Sequence, residues 1–65
     1  MQPHQDRVVE EKKELDEKIV KLDLFIESNP LFQKVPLDEQ NRLRSQLDVM
    51  QEYSAILKDR IANFT

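Results

Sequence analysis

The residues of this 65-residue chain with the clearest capacity for chemistry form one polar row. His4, Arg7, Glu11, Glu14, Lys18 and Lys21 follow one another at steps of three and four, so a helix would set them in a single line. Planar Arg and His side chains can fork a phosphate or stack on a base, while Lys supplies a compact point charge. If His4 and Arg7 of one chain met Lys18 or Lys21 of another, the line would close into a positive pocket for a phosphate. The plainer reading is a charged border whose long stems cover apolar surface.

Other chemistries find less support. Carboxylate pairs such as Glu10/Glu11 and Asp38/Glu39 sit where a helix keeps a solvated face, and acid–base work needs a desolvated cleft. Ser28, Ser45 and Ser54 have no histidine fixed beside them, and the one-turn spacing of Ser54 and Lys58 is common by chance. With no cysteine and one histidine, neither a thiolate site nor a structural zinc site is expected. The complete lack of glycine excludes phosphate-cradling loops, which need it for close backbone approach. The expectation is a non-enzyme without catalytic residues, metal or cofactor.

Charged residues make up 35% of the chain with a net charge of −3, which argues against coating DNA or RNA even though Lys34, Arg42 and Arg44 cluster. No apolar run approaches the roughly 20 residues of a membrane span. The opening MQPHQD lacks the basic start and apolar stretch of a signal peptide. A soluble, intracellular protein with no membrane partner is expected.

The elements that must position these side chains are helical. Val8, Leu15, Ile19, Leu22 and Ile26 make one apolar stripe, and Val9, Val20 and Leu24 a second on nearly the opposite side. Glu14–Lys18 and Glu17–Lys21 are spaced to pair along the surface. Pro3 suits a first turn, and Asn29-Pro30 should end the helix. Asn29 can take a left-handed cap, or can cap a short turn running through Leu31 and Phe32, with Phe32 plugging the end. Pro36 should open a second helix on the stripe Leu43, Leu47, Met50, Leu57 and Ile61. Small Ser54 interrupts that stripe and allows close approach. Beside it runs a mixed row of Arg42, Val49, Tyr53, Ile56 and Arg60, a composition typical of interface cores. Phe64 should close the base.

The fold class is therefore all-α: one domain, an antiparallel αα-hairpin with helices over about 3–28 and 36–63 and a short turn over 30–34. A core this small, without disulfide or metal, calls for a homo-oligomer.

The run HQDRVVEEKKELDEKIVKLDLFIESNPLF, followed by LRSQLDVMQEYSAILKDRIANF, resembles the second family of phage anti-CBASS proteins, whose helical hairpin is shared with some Thoeris anti-defence proteins. The resemblance covers residues 3–64 and lies in RVV-E-K-ELDEK-KL-FI, the SNPLF joint and QL-MQEYS-IL-RI-F. It implies a sponge that sequesters cyclic di- and trinucleotide signals without cleaving them, in the cytoplasm of the infected bacterial host. It also implies compact oligomers, hexamers favoured, with ligand pockets between protomers. Carried onto this chain, His4 falls where the family has an aromatic, usually tyrosine, Lys18 matches its pocket lysine, and Arg60 falls where a trinucleotide-pocket arginine stands. An oligomeric helical module for protein–protein contacts is the alternative.

Overall fold

The computed structural model describes residues 2–64; Met1, the first residue of the lead-in, and Thr65 lie outside that range. Two antiparallel helices of equal length, α1 (Pro3–Ser28) and α2 (Leu37–Ala62), are joined by a 3-10 turn over Pro30–Lys34. They form a rod of 47 × 15 × 14 Å.

Local chemistry sets each boundary. Pro3 occupies the first helical position, where its missing N–H has no partner to lose. The Gln2 carbonyl takes the N–H groups of Gln5 and Asp6 at 2.9 and 3.0 Å, and Gln5 returns its side-chain oxygen to the Gln2 N–H at 3.0 Å. At the far end Asn29 is extended, with φ −92° and ψ 120°, and does not take the left-handed cap. Pro30 explains this, because the ring of a proline pushes the preceding residue toward extended backbone. Asn29 instead caps the turn that follows, its Oδ1 accepting from the Leu31 N–H at 2.9 Å.

Pro36 stands just outside α2 rather than opening it. Its ψ of 144° is extended, while its carbonyl accepts the Gln40 N–H at 2.9 Å, the role of a cap residue. Asp38 and Glu39 then place negative charge near the positive end of the helix dipole. At its other end α2 tightens, and the Asn63 N–H is shared between the carbonyls of Asp59 and Arg60 at 3.2 Å each.

The two apolar stripes meet along the rod. Val8, Leu15 and Leu57 are buried together, with Ile19, Met50, Ile61 and Phe64 packed against them. Phe32 is fully buried under the joint and meets Phe25 edge-to-face, ring centroids 5.7 Å apart. The Arg44 guanidinium lies over the Phe32 ring, 5.1 Å from its centroid. Buried Gln40 donates through Nε2 to the carbonyls of Phe32, at 3.1 Å, and Val35, at 2.9 Å. That clamp fixes the joint to the start of α2. No helix among the described residues is long and apolar enough to cross a membrane.

Candidate functional site

The five site residues proposed from sequence all sit on exposed positions. His4 and Arg7 lie in the first turns of α1, Lys18 and Lys21 in its second half, and Arg60 in the last turn of α2. Their relative placement follows from one bond between the helices, in which the Ser54 hydroxyl donates to Asp16 Oδ1 at 2.6 Å. That bond marks one side of the hairpin and sets Asp16 level with Ser54. At 3.6 residues per turn, His4, Arg7 and Lys18 fall on the other side of the core stripe, and so do Tyr53, Ile56 and Arg60 of α2. Arg60 is level with the stretch between Arg7 and Glu14.

Four of the five are thus brought to one side, and Lys21 is turned further outward. His4 to Lys18 spans fourteen residues, about 21 Å of helix. Within one chain these groups line a surface and do not enclose a pocket. Between them Ile56 is 58% and Tyr53 40% exposed, so apolar surface lies beside the positive charge.

The opposite side holds a different arrangement. Lys12 Nζ reaches Asp16 Oδ2 at 2.7 Å, one helical turn away, while Ser54 takes the other oxygen. Hydrogen bonding from Lys12, then from Ser54, holds the Asp16 carboxyl below its ordinary value of 3.8, against a smaller opposing effect of partial burial. Next to this triad runs a shallow groove of about 640 Å³ along the outside of α1. Val9, Lys13, Asp16, Glu17, Val20 and Lys21 line it, with Ile61 at one edge. A second hollow, about 580 Å³, lies by the joint between Lys21, Leu24, Phe25 and Pro30. Lys21 borders both.

Sequence periodicity missed the triad and the Gln40 clamp. The available signals were Ser54 and Gln40 themselves, polar residues at positions of an apolar stripe. The ion pairs expected at Glu14–Lys18 and Glu17–Lys21 do not close; among the described residues Lys12–Asp16, Arg42–Asp38 and Arg42–Glu39 do. No group of three or more potential metal-ligating side chains occurs among the described residues.

Two helices packed as a rod, with apolar rows left open on the outside and charged side chains beside them, define a small all-α hairpin. The Sequestin family model matches residues 2–63, and the chain belongs to the Sequestin family. That name is compatible with sequestration of a ligand. No curated protein and no solved structure matches the chain.

Proposed function

We propose that this protein is a phage anti-defence sponge that binds cyclic di- or trinucleotide signals and withholds them, uncleaved, in the cytoplasm of the infected bacterial host. The observation that carries the reading is the shared side of His4, Arg7, Lys18 and Arg60, set beside exposed Tyr53 and Ile56 in a member of the Sequestin family. The resemblance to anti-CBASS proteins supplies the ligand class.

In this reading Lys18 and Arg60 neutralise phosphates, while the His4 ring and the Arg7 guanidinium stack on bases. Lys21, one turn beyond Lys18, stands at the rim. Because these groups are spread along one rod, a second copy is required to close a pocket around a ligand. The working form is a homo-oligomer, a hexamer in the family pattern. Placing the pocket between stiff helices lowers the ordering cost of binding. Cations and flat rings hold an anionic ligand and stack on it, so the reading is capture rather than turnover.

A thermal-shift panel tests this. Cyclic di- and trinucleotides and other cyclised nucleotides are compared with their linear hydrolysis products. A ligand at one hundred times its Kd adds about 2.7 kcal/mol, a shift of several degrees for a chain this small. The bound nucleotide should be recovered intact after heating the protein. A flat panel at high ligand excess would overturn the sponge and leave the hairpin as a module for protein contacts.

A further inference from the structure

We infer that the Tyr53 ring is the stacking platform for the base whose phosphate Lys18 holds, so that one hairpin alone carries a half-site for a single nucleotide unit. The inference rests on the nucleotide binding proposed above and assigns a further residue to it. His4 and Arg7 are left to the base whose phosphate Arg60 holds.

Helix geometry separates His4 from Lys18. About 21 Å of α1 lies between them, a length that one nucleotide unit does not cover. The bond from Ser54 to Asp16 sets those two residues level, and with the helices antiparallel it sets Tyr53 level with Glu17. Tyr53 therefore stands one residue, about 1.5 Å along the rod, from the level of Lys18. Around the helix axes the two also share a side. Each is turned about a quarter-turn from the core stripe of its own helix, Lys18 on α1 and Tyr53 on α2, away from the Ser54–Asp16 bond. Packed helix axes lie about 8–10 Å apart, so ring and ammonium flank one groove side by side.

The local chemistry suits a base and a phosphate. Tyr53 is partly exposed, and Val49 and Ile56, one turn to either side of it on α2, are more than half exposed. Together they make an apolar strip about 10.5 Å long with a flat ring at its centre. Such a ring takes the face of any base, and a purine covers more of the strip than a pyrimidine. Across the groove Lys18 closes no ion pair among the described residues, which leaves its point charge for a phosphate. The ligand class is a nucleotide unit, purine before pyrimidine. Packing between copies would require apolar bulk at position 53 but no ring.

The chain has one tyrosine and one histidine, so the ring protons of each report on a single residue by NMR. Spectra of the full chain are recorded with 5′-GMP, with the cyclic nucleotides and with ribose 5-phosphate. The nucleotides should move the Tyr53 ring protons upfield through the ring current of the stacked base. Ribose 5-phosphate, which has no base, should not. Lys18→Ala should remove most of the movement at Tyr53. Tyr53→Leu keeps apolar bulk and should keep the assembly mass in sedimentation, while weakening the cyclic ligand about tenfold. Tyr53→Phe keeps the ring and should restore most of that loss. Tyr53 protons that stay in place while those of His4 move, or a Tyr53→Leu chain that binds as tightly as wild type, would overturn the proposal. A loss of assembly in Tyr53→Leu with no movement at Tyr53 in wild type would assign the ring to packing and overturn it equally. Thermal shifts with an unmoved Tyr53 would remove this platform and keep the sponge; movement with 5′-GMP against a flat cyclic panel would do the reverse.

Discussion

The joint and the flanks of this hairpin are built on different terms. At the joint the buried groups find their partners inside the chain, while Leu31 and Leu37 stay on its surface. Phe32 is fully buried, Phe25 meets its ring edge, Arg44 covers it, and Gln40 donates to the carbonyls of Phe32 and Val35. Along the flanks, Val20, Leu24, Val49 and Ile56 are more than half exposed. The difference teaches where this chain specifies its own fold and where its surface is left unspent by that fold. The joint fixes which way the helices run, and the flanks are free to recognise something else.

Substitutions can break that contrast. Phe32→Ala should have the largest effect, about 3–5 kcal/mol, a large share of the whole stability of so small a domain. Urea denaturation should show the midpoint collapsing; a loss under 1 kcal/mol would mean the joint is not the anchor. Gln40→Leu keeps bulk but leaves the Val35 carbonyl without its partner, while the Phe32 carbonyl keeps the Val35 N–H, costing roughly 1–3 kcal/mol by the same assay.

Ser54→Ala removes the bond to Asp16 and should cost about 1 kcal/mol at neutral pH. The pH dependence carries the sign. Asp16 has a lowered pKa in the folded state, so its contribution is present above the ordinary value of 3.8 and fades as pH falls through the lowered one. The stability gap between wild type and Ser54→Ala should narrow in acid. An unchanged gap at pH 7 and below pH 3.8 would rule out the ionised carboxylate as the acceptor that matters.

The smallest effect belongs to the flank. Ile56→Ser, measured at a dilution where copies separate, should change unfolding by less than about 0.5 kcal/mol. Its effect should appear instead as lost concentration dependence of Tm, since assembly stabilises by mass action. A large loss in the dilute chain would show Ile56 to be a core residue and erase the contrast.

Much of the fold is legible in the sequence because helix periodicity and proline act locally. Val8, Leu15, Leu47 and Leu57 lie on the stripes that the spacing marks, and all four are buried. Phe32 could be placed at the plugged end because Asn29-Pro30 and Val35-Pro36 bracket it. The partner of Ser54 was not readable, since a break in a stripe signals a small or polar contact without naming what lies across it. Phe25 sits off the main stripe and reaches Phe32 only because the turn folds back. Exposure of His4, Arg7, Lys18 and Lys21 is visible as a periodic row on α1, but that Arg60 of α2 shares a side with three of them depends on how the helices pack, which spacing along one helix does not encode.

The bond between Ser54 and Asp16 has one more consequence, which concerns translational symmetry. Aliphatic stripes look nearly the same after a slide of one turn, about 5.4 Å, so packing alone distinguishes neighbouring alignments poorly. A hydroxyl facing a carboxylate does not survive such a slide. Midway along a 47 Å rod, far from the turn that ties the helices together, it acts as a vernier mark. It fixes how the side chains of one helix stand against those of the other, and so sets the spacing of everything the two flanks present.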